Sequence, residues 1–148
     1  MDKRISRYAR LIGTLLLGFV LSFGVLAEER SVISRDQLQE MFHNMANTPG
    51  WDVSKPMLWG YFFTHASRSP LEKAAKQLMS KGYRVVGIYV GDKDSPSDPD
   101  VWWLHVEKIE NHSVDSLDRR NKEFNRLAES LELDSYDGMD VGPVSGEQ

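Results

Sequence analysis

Tyr83–Glu110 reads YRVVGIYVGDKDSPSDPDVWWLHVEKIE, and its pattern decides the fold. Two apolar runs, Tyr83 to Gly91 and Val101 to Glu110, flank a segment of aspartate, serine and proline from Asp92 to Asp100. Branched and aromatic residues in alternation mark strands, and the polar segment between them marks a turn. In the second run Trp102, Leu104 and Val106 point one way, and Trp103, His105 and Glu107 the other. The same alternation sends Val86, Ile88 and Val90 inward and Tyr83, Val85 and Tyr89 outward. The two runs therefore form an antiparallel hairpin with one face apolar.

Upstream, Ser69-Pro70-Leu71-Glu72 is a helix start with cap, first-turn proline and capping-box glutamate. Leu71, Ala74, Ala75, Leu78 and Met79 form that helix's buried face, and Gly82 ends it in a left-handed conformation. Before it, Met57 to His65 (MLWGYFFTH) is a third strand. Both its faces are apolar, so Met57, Trp59, Tyr61 and Phe63 compete with Leu58 and Phe62 for the core. Downstream, Ser113 caps a helix running to Leu131, with Leu117, Phe124, Leu127, Ala128 and Leu131 as its stripe. Ser135 to Val144 supplies a short final strand. The order is β-α-β-β-α-β. Right-handed crossovers turn it into an α+β, ferredoxin-like sandwich with one antiparallel sheet and two helices on one face. Interior Gly60 and Gly87 mark bulges or close packing.

An extra helix precedes this unit. Ser34 and Gln37 form its capping box, and Leu38, Met41, Phe42 and Met45 its stripe. Asn47-Thr48-Pro49-Gly50 stops it. The stripe needs a surface to bury against, so this helix is expected to close the sheet's outward face.

Residues 1–27 read as an export signal. Lys3, Arg4, Arg7 and Arg10 precede an uncharged run from Leu11 to Ala27 that closes on Val25-Leu26-Ala27 before Glu28-Glu29-Arg30. The run is slightly short for a membrane span of roughly 20 residues, and an uncleaved inner-membrane anchor is the alternative. Either way the remainder faces the far side, periplasmic or secreted. The chain thus divides into the signal at 1–27, a helix and linker at 28–56, the main domain at 57–144 and a tail at 145–148.

The chain holds 18 basic and 22 acidic residues; residues 1–27 contain four of the former and one of the latter, leaving 14 against 21. An acidic domain repels phosphate backbones, so a nucleic-acid partner is not expected. With no cysteine, neither disulfides nor a lipidated cysteine is possible.

No cofactor or metal pattern stands out. Asp92 and Asp94 imitate the start of a calcium loop. Pro96 then lacks a ligating side chain, Ser97 replaces the turn glycine, and Trp103 stands where a glutamate belongs. His43, His65, His105 and His112 lack metal-ligand spacing, although His105 and Glu107 share a strand face. There is no glycine-flanked nucleophilic serine and no phosphate loop, and the chain reads as non-catalytic.

Two stretches carry a family resemblance. Leu71-Glu72-Lys73-Ala74-Ala75 followed by Lys81-Gly82-Tyr83-Arg84-Val85, and Asn125-Arg126-Leu127-Ala128-Glu129 leading into Ser135-Tyr136-Asp137-Gly138, resemble the RraB family, the protein inhibitors of ribonuclease E. The resemblance covers roughly residues 57–144. It implies a ferredoxin-like domain that acts by binding another protein. Its best-known members are cytoplasmic and carry long acidic flanks. This chain differs from them in both respects, and an exported chain would meet a different partner.

The expected working surface is the sheet edge with the loops at Trp51, at Asp92, Asp94, Asp98 and Asp100, and at Tyr136 and Asp137, together with Trp103 and His105. Its partner would be a protein with a basic surface. Tyr136-Asp137-Gly138 reads equally as a braced turn. Two alternatives are a small-ligand or enzymatic domain using the face of Trp103, His105 and Tyr89, and a membrane-anchored envelope accessory protein.

Overall fold

The computed structural model describes residues 33–144. The aromatic run Met57–His65 forms β1, and the hairpin forms β2 (Arg84–Val90) and β3 (Trp102–Glu110). Ser135–Gly142 forms β4. The helices are α1 (Arg35–Ala46), α2 (Arg68–Ser80) and α3 (Val114–Ser130). The sheet order is β2-β3-β1-β4, antiparallel throughout, so the architecture is the expected α+β, ferredoxin-like one with an added first helix.

The helix starts reflect local chemistry. Ser34 and Gln37 close a capping box on α1, and Ser113 and Ser116 close one on α3. The start of α2 differs from the expected cap at Ser69: the helix begins at Arg68, with Pro70 inside its first turn. Proline lacks an N–H, and a first-turn residue needs none. Arg68 pairs with Glu72 at 2.8 Å, the residue expected to close a box. Gly82 (φ 84°) takes the left-handed turn out of α2.

The packing settles β1. Met57, Trp59, Tyr61 and Phe63 are buried toward the helices, and Leu58 and Phe62 lie on the opposite face. Phe124 of α3 is the hub of the core. Its ring centroid lies 4.9 Å from Tyr61, 5.3 Å from Phe63, 5.6 Å from Tyr83 and 5.4 Å from Tyr136. Edge-on geometry dominates these pairs, as the aromatic quadrupole favours.

Two expectations are corrected here. Tyr83 and Val85 do not face outward: Tyr83 is buried against Phe124, and Val85 sits opposite inward-facing Val106. The β2–β3 register shifts between Val85 and Gly87, so Val86 is an unpaired bulge residue, exposed instead of buried. One extra residue inverts the alternation upstream of it, while Ile88 and Tyr89 keep their expected faces. Val90, expected inward, is also exposed, at the end of β2.

The second correction concerns α1. It does not cover the outward face. It packs beside α3 on the core side, with Leu38 and Met45 buried and Phe42 6.1 Å from Trp59. Three helices therefore share one face, and among the described residues nothing lies over the other.

Candidate functional site

The uncovered face is set by alternation along the two central strands. β1 contributes Leu58, Gly60, Phe62 and Thr64, paired respectively with Ile109, Glu107, His105 and Trp103 of β3. Tyr89 of β2 lies beside Trp103. Ile109 is 55% exposed and Tyr89 44%, unusual values for large apolar side chains.

At its centre, Gly60 makes room for two polar groups. A β-carbon there would run into the Asp140 carboxylate and lie 2.8 Å from His105 Nε2. These side chains lean across the strand from β4 and β3. Phe62 stacks on the His105 ring at 4.5 Å and 22°. His105 Nε2 is buried without a hydrogen-bond partner and lies 3.5 Å from Glu107 Oε1. Arg84 holds the other oxygen of Glu107. Among the described residues no group of three His, Cys, Asp or Glu side chains is arranged to hold a metal.

The expected surface residues do not converge. Trp103 and His105 share the open face. Asp92 flanks that face at the β2 edge; Asp94, Asp98 and Asp100 continue along the loop, where Asp98 accepts the Ser95 N–H and Asp100 pairs with Lys93. Asp137 is exposed at the bulge of β4, the opposite edge. Trp51 lies elsewhere, against the core beside Met41, Met45 and Val141. Tyr136 is 1% exposed, so the turn it belongs to is braced and the ring cannot meet a partner: its hydroxyl donates to Asn121 Oδ1 of α3 at 2.7 Å.

One polar cluster escaped sequence reasoning. Arg120 of α3 donates to both Glu110 oxygens, at 2.7 and 3.0 Å, and also to the Tyr83 hydroxyl. The Tyr61 hydroxyl bonds Glu110 and lies 3.1 Å from His112 Nε2. Burial alone would raise the Glu110 carboxyl, but the nearby His112 ring and the hydrogen-bonded Arg120 guanidinium outweigh it and push it down to about 2. Burial also raises the hydroxyls of Tyr61, Tyr83 and Tyr136, keeping them neutral. A hollow of about 650 Å³ opens beside this cluster. On its wall Arg120 pairs with Glu110 and Glu123, and Lys122 pairs with Asp118 one turn back on α3. The arrangement ties α3 to β3 and is structural.

The family model described as Regulator of ribonuclease activity B matches residues 35–141, from the first residue of α1 into β4. The chain belongs to the RraB family. RraB domains are regulatory and bind proteins, ribonuclease E among them. The match takes in α1, so the RraB segment includes the helix that extends the helical layer. No curated protein matches the chain closely enough to support a comparison.

Proposed function

We propose that this RraB-family chain is an exported, non-catalytic regulator that binds a basic protein on the open face of its sheet. The observation that carries the reading is the uncovered face itself: Leu58, Phe62, Tyr89, Trp103 and Ile109 lie on it, with all three helices packed on the other side. An apolar face of this kind has a partner to bury it. Its charged rim supports a basic one. Asp92 and Asp94 at the β2 edge and Asp137 and Asp140 along β4 form no ion pair within the described residues. Complementary charge gives fast association and a strong dependence on salt.

Export rests on residues 1–27, outside the described region. Basic residues ahead of a 17-residue uncharged run deliver the downstream chain across the membrane. A chain delivered there is out of reach of a cytoplasmic ribonuclease, so the regulated partner is a different, extracytoplasmic protein.

The test is affinity isolation of the full chain from fractionated cells, comparing wild type with Trp103→Asp and Arg119→Asp. A charge at position 103 is expected to abolish retention of the partner. A charge reversal on the exposed side of α3 is expected to leave it. Loss with Arg119→Asp alone would move the docking surface to the helices.

A further inference from the structure

We propose that the hollow at the β2–β3 end of the open face is a receptor for one arginine side chain of the partner protein. This deepens the docking reading above and rests on it. The hollow measures about 400 Å³ and is lined by Phe62, Tyr89, Gly91, Asp92 and Trp103.

Each lining residue has a definable part. Tyr89 and Trp103 are direct neighbours across the β2–β3 ladder. Phe62 meets the indole edge-on, with centroids 6.3 Å apart and planes at 71°, which fixes its tilt. Gly91 lets the indole lie across the backbone, because a β-carbon there would collide with Trp103 Nε1 and Cδ1. The glycine therefore keeps the aromatic floor flat and open.

Two polar groups at the floor's margin have no partner among the described residues. Among the described residues the exposed Asp92 carboxylate makes no hydrogen bond or ion pair, and the Trp103 indole N–H finds no acceptor. The adjacent cation, Lys93, is held by Asp100 at 2.6 Å. An apolar aromatic floor with a single unpaired carboxylate selects a cation that is weakly hydrated and flat. Guanidinium fits both demands: it stacks on indole and phenol while its N–H groups reach a carboxylate. A lysine ammonium is compact and strongly hydrated, so it gains less from the same walls. The free indole N–H is then available to a backbone carbonyl of the peptide that carries the arginine. The volume, at the low end for ligand pockets, suits one side chain.

The experiment tracks the indole N–H and amide signals of the ¹⁵N-labelled protein by NMR. Trp103→Phe assigns the indole peak. The probes are N-acetyl-arginine N-methylamide and its uncharged isostere, N-acetyl-citrulline N-methylamide. The arginine probe is expected to shift Trp103, Tyr89 and Asp92 saturably and to bind at least tenfold more tightly than citrulline. Asp92→Asn and Trp103→Ala are each expected to weaken it tenfold or more. Equal response to citrulline, shifts centred elsewhere, or an unaffected Asp92→Asn protein would overturn the proposal. Agmatine binding tenfold tighter than the blocked arginine would also overturn it, by assigning the hollow to a free small cation. The two readings fail separately. A basic protein that still covers the open face of a chain deaf to arginine removes only the pocket, and a partner that footprints on the helices removes the docking reading.

Discussion

Replacing Glu110 with glutamine tests the polar tie between α3 and β3. The carboxylate is 13% exposed and takes two N–H groups from Arg120. Its carboxyl sits at about 2 against an ordinary 4.5. That difference corresponds to about 3 kcal/mol, which partial solvent access at Arg120 reduces to about 2 kcal/mol. The sign comes from linkage. The folded value lies below the unfolded one, so the unfolded chain binds more protons between pH 4.5 and about 2. The stability is fully present above that window and is lost as pH falls through it. Glu110→Gln keeps the shape and removes the charge. It is expected to cost about 2 kcal/mol at pH 7, or roughly 8 °C in Tm, and progressively less below pH 4.5. Urea unfolding monitored by tryptophan fluorescence at pH 7, 5, 4 and 3 measures the gap. A wild-type to variant difference that stays constant from pH 7 to 3, or one below about 0.5 kcal/mol at pH 7, would refute the reasoning.

Other consequences are simpler. Phe124→Ala empties the centre of the aromatic core and is expected to cost about 3–5 kcal/mol, read by urea midpoint at constant slope. Tyr136→Phe leaves Asn121 Oδ1, buried beneath α3, without its donor and is expected to cost about 1–3 kcal/mol, while Asp137→Asn on the exposed bulge stays within about 0.5 kcal/mol; thermal melts of the two variants beside wild type check both. Intact mass after fractionation is expected to show a periplasmic or secreted chain beginning at Glu28; a full-length cytoplasmic species contradicts export.

Much of this was legible because several local signals agreed. The alternation in β3, the serine caps of α1 and α3 and the left-handed Gly82 all act within a few residues, where sequence pattern and backbone geometry correspond directly. The inward placement of Leu104 and Val106 came from them. What failed was longer in range or broke the period. The bulge at Val86 has no composition of its own in a run of valines, yet it inverts Tyr83 and Val85. The stripe on α1 predicted burial correctly, but two surfaces could accept it, and the choice of the α3 flank depends on tertiary packing. The face of β1 was ambiguous because both its sides are aromatic. The Arg120–Glu110 tie joins a strand end to a helix ten residues on, a spacing with no fixed geometry across a turn. For the open face, the signal was present in two glycines. Gly60 and Gly91 each lie where a β-carbon would displace a neighbouring side chain, His105 with Asp140 in one case and Trp103 in the other.

The proposed partner docks on the open face of the sheet. Photo-crosslinking in living cells tests it most directly, with a photoreactive residue placed at Leu58 in one chain and at Arg119 in another. Leu58 is expected to crosslink to one extracytoplasmic protein with a basic surface, Arg119 is not, and the adduct is expected to fade as salt rises. Adducts from Arg119 alone would contradict it, as would adducts from Leu58 that ignore salt.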